Sequence, residues 1–131
     1  MKRIYCEHYH NPPHSFGDCI RACVASLAED ENVPHTFDTR SPENSWAAMR
    51  KYLHSKGKFL VLWDVESTTA LVYNNPDIHV MILGATESGV DHAMIYRNGK
   101  PIHNPSKNKE DVIVKPHSCG NYIIGVVGNL I

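Results

Sequence analysis

No stretch of this 131-residue chain comes near the roughly 20 consecutive apolar residues that a membrane helix needs. A surplus of charge is missing too, since the formal net charge is −1. With no basic stripe to neutralise phosphates, a general nucleic-acid binder is not expected. Internal repeats, low-complexity tracts and linker-like stretches are also absent, which predicts one domain over residues 1–131. The opening Met1-Lys2-Arg3-Ile4-Tyr5-Cys6 has a charge pair but no apolar segment after it, so no signal peptide is read there. A cytoplasmic location is therefore expected. The four cysteines, at 6, 19, 23 and 119, are then expected as thiols rather than as two disulfides. With 42% hydrophobic residues, a chain of this length can bury a core without such staples.

What is present begins with two helix signals. Asn11-Pro12-Pro13-His14-Ser15-Phe16-Gly17 excludes a helix before residue 18. Asp18 reads as an N-cap, and Ile20, Cys23, Val24 and Leu27 recur at helical spacing, predicting a helix over about 18–29. Ser41-Pro42-Glu43 opens a second helix, with Trp46, Met49 and Leu53 as its core stripe and Lys56-Gly57 at its end. From Lys58 the pattern turns strand-like, with runs at 59–65, 78–83, 92–96, 100–104 and 122–127 and a short ambiguous one at 70–73. Asn98-Gly99 marks a hairpin, and 105–111 reads as polar loop. Helices first and antiparallel strands after them make an α+β layout.

Cys19 stands in the first turn of the first predicted helix. Free N–H groups and the positive end of the helix dipole gather there, and both favour a thiolate. A free cysteine titrates near about 8.5, and such a setting can lower that to roughly 3.5–7.5. The plain alternative is a small buried cysteine that happens to open a helix. Cys23, one turn further in, is expected to pack in the core.

A cysteine nucleophile needs a base, and the base needs a group to fix its tautomer. Of the nine histidines, His92 is the best placed, at the start of the strand Ala93-Met94-Ile95-Tyr96. Taken alone, a solvent-facing strand-end histidine is the better reading. The hairpin changes the balance. A three-residue loop pairs Tyr96 with Lys100 and sets His92 opposite Asn104, with Cβ atoms roughly 4.5–5.5 Å apart. A two-residue loop pairs Arg97 with Lys100 and sets Ala93 opposite Asn104 instead. Asn-Gly suits both loops, so the register stays open. Pro105 ends the strand just after Asn104.

These segments resemble the papain-like cysteine peptidase superfamily. Asp18-Cys19-Ile20-Arg21-Ala22-Cys23-Val24 is similar to the cysteine motif of its bacteriocin-leader-processing (C39-like) peptidases. His92-Ala93-Met94-Ile95-Tyr96 resembles that family's histidine and apolar strand, and Asn104-Pro105 its Asp-Pro. Small bacterial and phage proteins of the same layout are similar too. The resemblance implies a cysteine-bearing helix packed on a twisted antiparallel sheet. It also implies hydrolysis of an amide or related acyl bond in a peptide, protein or small amide. The roles would be Cys19 as nucleophile, His92 as base and Asn104 as orienter, with no cofactor or metal. Two departures stand out. Ile20 replaces a glycine, and the oxyanion glutamine is replaced by Pro13 in a chain without any glutamine. His14, Ser15 or Asn11 is then the expected second oxyanion donor beside the Cys19 N–H. Loss of one donor costs about 100–1000-fold in rate.

Two other readings compete. Cys6, His8, His10, His14, Cys19 and Cys23 fall within eighteen residues and offer zinc-type ligands, although their spacing matches no standard finger or ribbon. Alternatively, a papain-like scaffold without the oxyanion glutamine serves as a catalytically weak binding or inhibitory protein. His35, His54, His79, His103 and His117 are expected as surface or satisfied core groups, with His103 the fallback base. Cys119 is given no role.

Overall fold

A computed structural model describes residues 1–7, 18–34, 42–66, 77–108, 111–117 and 120–130. The described elements are α1 (Cys19–Ala28), α2 (Pro42–Ser55), β1 (Lys58–Val65), β2 (His79–Ala85), β3 (Asp91–Arg97), β4 (Lys100–His103) and β5 (Tyr122–Asn129). The strands form one antiparallel sheet in the order β1-β5-β2-β3-β4. The fold is α+β, as the sequence predicts, with both helices packed on the sheet. The short run at 70–73 lies outside the described residues.

Strand alternation explains the layering. Leu60 of β1, Met81 and Leu83 of β2, and Ala93 and Ile95 of β3 meet Cys23, Val24 and Ala28 of α1 and Met49 and Leu53 of α2 in the main core. Met49, Leu53, Met81 and Ile95 are fully buried. Each such side chain contributes about 1.5–3 kcal/mol of burial. The alternate positions, Val80, Ile82 and Ile124, form a smaller cluster with Tyr96, Ile113 and Tyr122 on the other face. Cys23 and the stripe of α2 therefore pack as expected from their helical spacing.

Asp18 departs from expectation. It occupies the N-cap position of α1, but its side chain makes no capping hydrogen bond. Both carboxylate oxygens instead accept the Glu7 N–H, each at 3.1 Å. The carboxylate also acts on the Cys6 thiol, helping to raise its pKa. Asp18 is fully buried, so its charge is held by the donors of the N-terminal segment crossing above it. That segment is tied down further by the Ile4 N–H on Ser26 Oγ at 2.9 Å and the Cys6 N–H on the Pro105 carbonyl at 2.9 Å.

The β3–β4 hairpin takes the two-residue form. Arg97 pairs with Lys100 and Tyr96 with Pro101. Asn98 and Gly99 have φ of 52° and 74°, the left-handed values a type I′ turn demands. The register then shifts, and Ile95 pairs with His103, leaving Ile102 as a bulge. The three-residue loop that would set His92 opposite Asn104 does not form.

Candidate active site

Without the bulge, a two-residue turn would put Asn104 on the face of Ala93. One inserted residue moves every later side chain to the other face. Asn104 thereby shares a face with His92 and reaches it diagonally, just past the end of β4. His92 Nε2 lies 2.9 Å from Asn104 Oδ1. The contact expected from sequence is present, made by a different register.

The surrounding bonds assign the protons. Asn104 Oδ1 also accepts the Ser106 N–H at 3.1 Å, and Asn104 Nδ2 donates to the Asp111 carbonyl at 2.7 Å. These bonds allow one amide orientation only, in which Oδ1 faces the imidazole. Nε2 is then the donor, and Nδ1 of neutral His92 carries the lone pair.

Cys19, the first residue of α1, packs on the core that includes Ala93 of β3. The backbone N–H of Ala93, the neighbour of His92 in β3, lies near enough to the Cys19 sulfur to favour its thiolate. The N–H dipoles of Ile20 and of Cys19 itself act in the same sense. Because Asp18 leaves the helix uncapped, these first-turn N–H groups are available to the sulfur. The sequence expects this setting to favour the thiolate, and here the balance goes the other way. Burial pushes the Cys19 thiol up to about 11; the three N–H groups oppose that shift and the Asp18 charge reinforces it. Burial likewise lowers the His92 pKa below its ordinary value, against the opposing influence of Asn104 and the Asp111 charge. Both effects favour the neutral forms, thiol and imidazole.

Cys6 is a neighbour that sequence reasoning placed elsewhere. Its thiol is pushed far up by burial, then by Cys19 and Asp18. Cys6, Cys19 and Cys23 are free thiols. Among the described residues, no three His, Cys, Asp or Glu side chains are arranged to hold a metal. His8, His10 and His14 of the suggested zinc set, and the oxyanion candidates Asn11, His14 and Ser15, lie outside the described residues, as do His35 and Cys119.

His103, the fallback base, is buried with Nε2 2.8 Å from the Ile4 carbonyl and its ring edge-on to Tyr5. A carbonyl only accepts, so Nε2 carries the proton and the ring is a satisfied core group. His117 Nε2 lies 3.0 Å from an Asp91 carboxylate oxygen. Sequence reasoning missed Ser106 and Asp111. The signal for Ser106 was present, because Asn104-Pro105-Ser106 and Ser106-Lys107-Asn108 suit side-chain-to-backbone turns. Among the described residues, no helix is long and apolar enough to cross a membrane. No protein family, no curated protein and no solved structure matches the chain.

Proposed function

We propose that this protein is a papain-like cysteine hydrolase that cleaves an amide or related acyl bond through a Cys19 thioester. His92 Nδ1 takes the Cys19 proton, and the sulfur attacks the carbonyl carbon. The Cys19 N–H at the helix start is one donor to the oxyanion, with Asn11, His14 or Ser15 as the expected second. Collapse expels the amine, which leaves with the proton from His92. Water then gives a proton to His92 and attacks the thioester, releasing the acid and restoring the thiol. A peptide, protein or small amide is the expected substrate. The observation that carries this reading is the tautomer: the Asn104 network leaves the base lone pair on Nδ1 of a histidine whose neighbour, Ala93, has its N–H near the Cys19 sulfur.

A second reading, a binding or inhibitory protein, has one observation in its favour. A thiol raised to about 11 in a chain without glutamine suits a site that does little chemistry.

Iodoacetamide labelling at pH 6, read by intact mass and peptide mapping, separates the two. The hydrolase reading expects Cys19 to be the labelled cysteine, and His92→Ala to slow the labelling by about 100-fold, the usual contribution of a positioned base. Slow labelling that ignores His92→Ala favours the binding protein.

A further inference from the structure

The pair that would do the chemistry is held from behind by a loop with its own internal bonds. The Ser106 hydroxyl donates to Asp111 Oδ2 at 2.7 Å and accepts the Asn108 N–H at 3.1 Å. Its single proton is thus committed to the carboxylate. The Ser106 N–H and the Asp111 carbonyl are the same two groups that orient the Asn104 amide. One short loop therefore grips Asn104 at both ends of its side chain and closes on itself through Ser106 and Asp111.

The loop is referenced to the sheet. Beyond Asp111, the Val114 N–H donates to the Ala85 carbonyl at 2.9 Å, and the Ala85 N–H donates to the Lys115 carbonyl at 2.9 Å. Ala85 ends β2, the strand that pairs with β3, and its neighbour Gly84 pairs with His92. A Cβ at Gly84 would meet the Ile113 side chain and lie 2.8 Å from the Lys115 carbonyl, so the segment crosses β2 where only glycine leaves room. Histidine and clasp are thus anchored to adjacent strands.

Charge adds a second argument. Asn104 is neutral and cannot balance an imidazolium. The Asp111 carboxylate acts on His92 by charge from the loop side. Among the described residues, the other ionisable groups on neighbouring elements include Asp18 and Cys19 at the start of α1, Cys6 on the N-terminal segment and Asp91 on β3, the last paired with His117.

We propose that Ser106 and Asp111 are positioning residues: the clasp locks the Asn104 amide so that Nδ1 of His92 is the base, and the Asp111 carboxylate supplies the negative charge that the asparagine lacks. The role in catalysis rests on the hydrolase reading; the effect on His92 does not.

The test is an NMR titration of the His92 ring in wild type, Ser106→Ala, Ser106→Thr and Asp111→Asn, with Cys19 alkylation rates on the same samples. The backbone bonds of Asp111 survive all three substitutions. Asp111→Asn is expected to move the His92 midpoint to lower pH, because a charge that favours the imidazolium is gone. Ser106→Ala is expected to slow Cys19 alkylation by about 10- to 100-fold, the scale of an ångström of misplacement, and Ser106→Thr to restore it. An unchanged His92 midpoint in Asp111→Asn together with wild-type alkylation in Ser106→Ala would overturn the proposal. If wild-type alkylation ignores His92 while the midpoint still shifts, the hydrolase reading fails and the clasp stands.

Discussion

His92 carries its proton on Nε2 because every polar atom of the Asn104 amide is already committed, and an oxygen faces the ring. A base must be neutral to accept a proton, and burial lowers the pKa of this one below its ordinary 6.5. Cys19 alkylation should therefore rise through a midpoint below pH 6.5, and His92→Ala should remove that rise; stopped-flow rates between pH 4.5 and 8 would measure it. A midpoint clearly above 6.5 would mean that the imidazolium is stabilised more than the ring is desolvated. Cys19, His92 and Asn104 could be singled out as candidates at this scale because each has a local signature: a helix start, a strand start and a proline stop. Asp18 was not, because its carboxylate accepts from the Glu7 N–H, eleven positions away in sequence.

Among the elements, the β3–β4 hairpin decides whether His92 and Asn104 meet. Asn98-Gly99 announces the turn, and both residues adopt the left-handed backbone that this pair tolerates best. Gly99→Ala places a Cβ in that conformation and should cost about 1–2 kcal/mol, readable in urea unfolding. The bulge at Ile102 is a different matter, since no residue type there advertises it. Deleting Ile102 is expected to return Asn104 to the face of Ala93, uncoupling it from His92 while the turn and the sheet remain. Loss of the His92–Asn104 contact in the NMR spectra would verify this, and its persistence would show that the loop beyond β4 sets the amide by itself. Both helices were legible from apolar spacing; the register was not, because a single inserted residue outweighs the preference of the turn.

For the whole molecule, acid is the natural enemy of this fold. His79, His92 and His103 all have pKa values lowered chiefly by burial. Above pH 6.5 these rings are neutral folded and unfolded, and their contribution to stability is fully present. As pH falls below 6.5 the unfolded chain takes up protons that the folded chain resists, and that stability is progressively lost. Tm should therefore decline between pH 7 and 5. His103→Gln keeps a donor for the Ile4 carbonyl but cannot titrate, so it should reduce the decline; a variant with the wild-type slope would exclude His103 as a source.

The sequence by itself determined the element order, the α+β class and the faces of both helices, and it singled out three candidate residues. Those properties depend on spacing within a few positions, which sequence displays directly. Tertiary structure alone decided the bulge that turns Asn104 toward His92, the burial that keeps Cys19 a thiol, and the Ser106–Asp111 clasp. Each of these depends on groups far apart in sequence meeting at the open end of β3, where desolvation and shared hydrogen bonds outweigh any local preference.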